Sequence, residues 1–263
     1  IETSMKGTDE QASLAFAEKS IYDISKQSER SELLRMDEGD IIGEVLHKFE
    51  LLQSDPNSFR GVPTGYKRLD KLTHGLKSGA LIVIAARPGM GKTSLAMNLV
   101  ENASLRAGKT CAVFSLEMPR SEIVERLICS YANVSMQKAQ DGELGAKEWK
   151  KLMLAGDQLK KSKIHIDDSP KITPAEILSK CRRLKSSADG LDLIMIDYIQ
   201  LMSSGDSKMA GSENRQQEIA SITRDLKIMA KELEVPIIAL SQLRRIQSNE
   251  PTLSELRESG AIE

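Results

Sequence analysis

Residues 81–100 read LIVIAARPGMGKTSLAMNLV. An apolar run, Leu81 to Ala86, stops at Arg87-Pro88, passes through two glycines to Lys92-Thr93, and resumes with helical spacing at Leu95, Ala96, Leu99 and Val100. A buried strand followed by a glycine turn and a helix start is a phosphate cradle. Successive backbone N–H groups converge on an anion, and the helix presents its positive dipole end to the same point. Lys92 adds a mobile positive charge for the outer phosphates, and the Thr93 hydroxyl is a ligand for Mg²⁺. The match is to the P-loop, with Ala86 in the place of its first glycine and Gly89 supplying flexibility inside the loop.

The surroundings of this turn alternate strand and helix from residue 61 onward, which predicts a mostly parallel α/β sheet covered by helices. Strands are expected at 81–86, 110–115, 164–167, 192–197 and 235–240. Helices are expected at 92–105, 120–132, 146–160, 174–187 and 213–234, the last burying Ile219, Ile222, Leu226, Met229 and Leu233 along one face. The segment 203–212, SSGDSKMAGS, is small and polar and is expected to be a mobile loop.

Upstream, Leu14, Ala17, Ile21 and Ile24 form the stripe of one amphipathic helix over 13–25. A second helix after the acidic DEGD stretch carries Ile42, Val45, Leu46, Phe49 and Leu52. Neither has a sheet of its own to cover. The stripes alone do not decide between folding back on this domain and docking on a neighbouring subunit.

The chain of 263 residues, 40% hydrophobic, is long enough for one large α/β domain with an appendage. Lys+Arg 37 against Asp+Glu 38 gives a net charge of -1, so any polyanion is held locally and not by bulk attraction. Cys111, Cys129 and Cys181 are widely spaced in apolar segments and read as buried, reduced thiols. His47, His74 and His165 are scattered and suggest no metal cluster. With no secretory signal and no long apolar run, the expectation is a cytoplasmic protein with no membrane partner. The first residue is Ile1, and the chain is expected to be a fragment of something longer.

In α/β sheets the reactive groups collect at the carboxyl ends of strands. Here Glu117 follows CAVFSL, Asp197 ends LDLIMI, and Gln242 follows VPIIALS. An aspartate closing an apolar strand is the Walker B arrangement, in which the carboxylate holds Mg²⁺. Glu117 is suited to orient and deprotonate an attacking water, and Gln242 to contact the γ-phosphate and report its loss. Singly, an acid or amide at a strand end is more often a helix cap or a solubilising loop residue. Beside a P-loop the balance reverses, because hydrolysis requires a metal carboxylate and a group that positions water.

The blocks GVPTGYKRLDKLTHGLKSG, AARPGMGKTSLAMN, FSLEMP, IDYIQLM, NRQQEI, ALSQL and LRESGAIE, in that order, resemble the replicative hexameric DNA helicases of the DnaB family. The resemblance implies a RecA-like P-loop NTPase fold preceded by an amphipathic linker helix. It divides the chain into 1–35, linker helix and flanking loop docking on a neighbouring subunit, and 36–263, an ATPase motor domain expected to be incomplete at its C-terminal end. It further implies a homo-hexameric ring around single-stranded DNA, with ATP and Mg²⁺ between subunits and with primase and a helicase loader as partners.

Carried over by position, the nucleotide-binding run is Arg87, Pro88, Gly89, Met90, Gly91, Lys92, Thr93 and Ser94. Thr93 and Asp197 serve the metal, Glu117, Lys92 and Gln242 are catalytic, and Arg257, Glu258 and Gly260 form the DNA-gripping loop. A ring that repeats one arginine and a few backbone amides in every subunit can grip phosphates without a basic exterior. Two features of the family find no match in this sequence: the collar domain before the linker, and the later strands with the basic residue that reaches the neighbour's ATP site. The rival readings are a RecA or RadA type recombinase, disfavoured by the linker and RESG blocks, and a nucleotide-gated loading factor, disfavoured by Glu117.

Overall fold

The computed structural model describes residues 40–55, 60–202 and 212–243. The linker helix expected at 13–25, the loop segment 203–211 and the DNA loop at Arg257, Glu258 and Gly260 lie outside them. The chain divides into two units at residue 60, and each is described by itself.

In the first unit a single helix is described, α1 (Ile41–Ser54), at the position expected from its apolar stripe. Ile42, Val45, Leu46 and Phe49 are all exposed on it, Phe49 to 60%.

In the second unit, five strands form one parallel sheet: β1 (Leu81–Ala86), β2 (Cys111–Ser115), β3 (Ile164–Asp167), β4 (Leu193–Asp197) and β5 (Ile237–Gln242). Their spatial order is β1-β5-β4-β2-β3. The helices are α2 (Lys67–Thr73), α3 (Lys92–Glu101), α4 (Arg120–Ala132), α5 (Met136–Gln140), α6 (Ala146–Leu159), α7 (Pro174–Lys185) and α8 (Ser212–Leu233). Alternation along the strands divides the core between two faces. Phe114, Ile194, Ile196 and Ala239 pack under α7 and α8, through Ile177, Ile222, Leu226 and Met229. Val113, Met195, Ile238 and Leu240 pack under α3 and α4, through Ala96, Val100, Ile123 and Leu127. The stripe expected on α8 is buried throughout, from Ile219 to Leu233. Central strands covered on both sides account for the continuous apolar runs in the sequence.

Boundaries differ from expectation where local chemistry intervenes. β5 begins at Ile237, not at 235, because Val235 gives its N–H to Ala230 O at the end of α8 and Pro236 has none to give. The Ile237 N–H, donated to Ala80 O at 2.9 Å, is the first to join the sheet. The helix expected to run to 105 is α-helical only to Glu101. It then widens into a π turn over Asn102–Arg106, closed by Ala107 N–H to Asn102 O. The short helices α2 and α5 have no counterpart in the sequence reading. Asp70 holds the chain entering α2 by accepting from Thr64 N, Thr64 Oγ1 and Gly65 N. α7 starts where Thr173 and Glu176 cap each other, with Pro174 at its first position.

The three cysteines are free and buried. Burial pushes the Cys111 and Cys181 thiols up to about 12. Their folded-state values lie above the unfolded one, so they leave stability untouched below pH ~9 and reduce it as pH rises from there towards 12. At pH 8 neither thiol is expected to react with an aromatic disulfide reagent until the protein unfolds; rapid native labelling of both would contradict this burial.

Candidate active site

The ends of β1, β2, β4 and β5 meet at one edge of the sheet. The register sets Ala86 beside Gln242 and Ser115 beside Asp197. A cleft of about 350 Å³ opens there, lined by residues 86–89, 91–94, 117 and 118 together with Arg126 and Gln242. The sequence-predicted P-loop, Glu117 and Gln242 therefore share one cavity.

The loop after β1 takes its shape from two glycines. Gly89 and Gly91 have φ of 79° and 82°, left-handed values that side chains with a Cβ rarely adopt. Gly91 is also the N-cap residue just before α3, so the helix opens directly onto the cleft with Lys92 and Thr93 in its first turn. Met90 stands apart: its side chain is 75% exposed and does not line the cleft.

Asp197 ends β4 at 1% exposure. Its Oδ2 accepts from the Thr93 hydroxyl at 2.7 Å, and its Oδ1 lies 3.1 Å from Lys92 Nζ. That second contact is an ion pair without hydrogen-bond alignment, so Oδ1 is a buried oxygen that receives no hydrogen bond. A buried carboxylate beside a hydroxyl is a hard, oxygen-donor pair of the kind Mg²⁺ takes alongside phosphate oxygens. These two residues fit that ion. Lys92 Nζ also stands 4.3 Å from the centre of the Tyr198 ring, a cation–π contact that adds to the ion pair in fixing the ammonium. Burial raises the Tyr198 phenol, and the negative charges of Glu117 and Asp197 raise it further, so both carboxylates act on the same ring.

Glu117 is exposed in the turn that follows β2. Ser115 fixes that turn: its hydroxyl donates to Met118 O at 2.7 Å and accepts from Met118 N–H at 3.2 Å. Leu116 N–H donates to Asp197 O, which ties the turn to the end of β4. Glu117 and Asp197 are thus carried on backbones hydrogen-bonded to each other.

Two groups here escaped the sequence reading. Arg126, on α4, lines the cleft; its Nη2 pairs with Glu122 Oε1 at 2.8 Å and its buried Nε has no hydrogen-bond acceptor. In the sequence this is an ordinary i, i+4 helix pair, with nothing to separate it from a solvated one. Gln200 lies in the short 3₁₀ turn Ile199–Leu201 after β4 and binds the end of β5. Only the register could have revealed it.

A family model described as the DnaB-like helicase C terminal domain matches residues 61–263. Replicative DNA helicase DnaC of Bacillus subtilis (strain 168) is 41% identical over 255 residues, 95% of this chain and 55% of its own. Replicative DNA helicase DnaB of Pasteurella multocida (strain Pm70) is 43% identical over 267 residues, 98% of this chain and 56% of its own. A solved structure described as an ATPase domain superposes with a TM-score of 0.78 at 36% identity, covering 86% of this chain and 80% of that one. A DnaB-like replicative helicase, described with its interactions with primase, gives 0.75 at 33%, covering 96% and 63%. The chain spans about half the length of the curated relatives it matches. A RecA-like sheet carrying a P-loop, matched along most of the chain, settles the affiliation: the chain belongs to the family of the DnaB-like helicase C-terminal domain.

Proposed function

We propose that this protein is the motor of an ATP-driven replicative DNA helicase, hydrolysing ATP at the subunit interfaces of a hexameric ring to translocate on single-stranded DNA and unwind duplex at the replication fork. The observation that carries the reading is the meeting of Lys92, Thr93, Asp197, Glu117 and Gln242 at one edge of the sheet. Phosphoryl transfer is mainly a matter of position and charge, and each group has one task. The turn amides and Lys92 hold the phosphates. Thr93 and Asp197 would hold Mg²⁺, which when bound would neutralise negative charge on the phosphate oxygens. Glu117 accepts a proton from the attacking water, Gln242 stands against the γ-phosphate, and Arg126 adds positive charge to the wall.

The division into a linker, 1–35, and a motor, 36–263, belongs to the same reading. So do primase and a helicase loader as partners, the former in keeping with the relative described with primase. Assembly is supported by exposed apolar side chains on α6, where Trp149, Met153 and Leu154 are each more than half exposed. Among the described residues no helix is long and apolar enough to cross a membrane.

DNA contact is assigned to the run carrying Arg257, Glu258 and Gly260. The test is unwinding of a forked duplex, run beside strand exchange and ATP turnover with and without single-stranded DNA. Unwinding with DNA-stimulated turnover is expected; strand exchange without unwinding would indicate a recombinase. Arg257→Ala is expected to weaken single-stranded DNA binding equally for all sequences and to lower the salt slope by about one. A sequence-selective loss would move the DNA path elsewhere.

A further inference from the structure

The β4–β5 ladder ends early. Its paired residues run only from Ile194 beside Ile237 to Ile196 beside Ala239, whereas β5 continues against β1 as far as Gln242. In a parallel sheet the N–H and C=O of one residue face the same neighbour. Gln242 therefore turns both groups towards β4 at a level where β4 no longer offers a partner. The Gln200 side chain fills that place. Its Oε1 accepts from Gln242 N–H at 3.3 Å, and its Nε2 donates to Gln242 O at 3.2 Å and to Ser241 Oγ at 2.9 Å. One carboxamide thus supplies both hydrogen bonds that a longer β4 would have provided from two residues, one accepting and one donating. Its own backbone is pinned, since Ile199 and Met202, at 1% and 2% exposure, anchor the turn in the core.

We propose that Gln200 is the positioning residue for Gln242, and that it makes the metal-carboxylate strand and the phosphate-sensing strand move as one piece. This rests on the role given above to Gln242. Asp197 stands three residues before Gln200, so a shift of Gln242 on loss of the γ-phosphate is passed through the carboxamide to the turn that leaves β4. The amide is the suitable side chain for this, because it presents a donor and an acceptor together. Glutamate keeps only the acceptor, and methionine keeps the shape with neither.

The experiment compares Gln200→Met, Gln200→Glu and Gln242→Ala, alone and with Gln200→Met combined with Gln242→Ala. The readouts are ATP affinity, kcat, thermal midpoint and hydrogen exchange at the Gln242 amide. Gln200→Met is expected to leave ATP affinity within about twofold, to lower kcat about tenfold, and to expose the Gln242 amide to exchange while the rest of β5 stays protected. Gln200→Glu is expected to retain that protection in part. The double variant is expected to be no slower than Gln242→Ala alone, because residues acting as one unit are not additive. Unchanged exchange at Gln242 in Gln200→Met, or losses in kcat that multiply in the double variant, would overturn the proposal. Normal turnover in Gln242→Ala would instead remove the sensing role on which it rests.

Discussion

Lys92→Ala is expected to abolish ATP binding at ordinary concentrations, while Glu117→Gln binds ATP normally and stops turning it over. The two side chains line one cleft but are proposed to act at different moments. Lys92 is 10% exposed, with its ammonium held between Asp197 and the Tyr198 ring, and its proposed contact to the phosphates is made in the ground state, before reaction begins. Two charge-assisted contacts of about 1.5–3 kcal/mol each place the loss at roughly 10²–10⁴ in Kd. Glu117 is the residue proposed to act on water. Glutamine preserves its volume and its carbonyl but cannot take a proton, and general-base catalysis is worth about 10²–10⁴ in rate. An interaction made only on the way to the transition state lowers kcat and leaves ground-state affinity alone. Calorimetric titration with ATP and single-turnover hydrolysis measure the two effects separately. Equal loss of affinity in both variants would remove Glu117 from the catalytic role.

The contrast between these residues also shows what a sequence carries. Lys92, Thr93 and the glycines are legible because the phosphate cradle is local: strand, turn and helix start fall within one short run, and left-handed glycines at 89 and 91 are demanded by the loop itself. Asp197 is legible as the polar end of an apolar strand. The stripe on α8 is legible because burial on one face imposes helical spacing.

What could not be read is what depends on strand order. That β1 lies beside β5 and β4 beside β2 is a long-range fact, and it alone brings Gln242 next to Ala86 and Asp197 next to Ser115. Ser115, Gln200 and Arg126 are polar residues of ordinary spacing. Their work lies in a turn lock, a strand surrogate and a cleft wall, each defined by neighbours distant in the chain or by which way a helix faces. The start of β5 departs from expectation because apolarity marks Val235 and Pro236 as strand, whereas the supply of N–H groups excludes them.

The remaining prediction concerns Asp197, where catalysis and stability meet on one carboxylate. Asp197→Asn keeps the size of a side chain that is 1% exposed in the packed end of β4, so the fold should survive. The negative charge facing Lys92 Nζ at 3.1 Å and Thr93 Oγ1 at 2.7 Å does not. A metal ion contributes several kcal/mol to stabilising transferring phosphoryl charge, and each 1.36 kcal/mol is tenfold in rate. Turnover should therefore fall by about 10²–10³, and its half-saturating Mg²⁺ concentration should rise. Asp197→Ala removes the packing as well and leaves the Lys92 ammonium without its partner. Breaking a buried pair from one side costs about 3–5 kcal/mol, and here the lower end applies, since Lys92 keeps a path to the cleft and to water. Denaturant unfolding should thus rank the proteins wild type, then Asn, then Ala in midpoint. Mg²⁺ titration of hydrolysis should show both variants impaired. If Asp197→Asn hydrolyses ATP with an unchanged Mg²⁺ requirement, the metal is held by other oxygens, and the buried carboxylate serves only to orient Lys92.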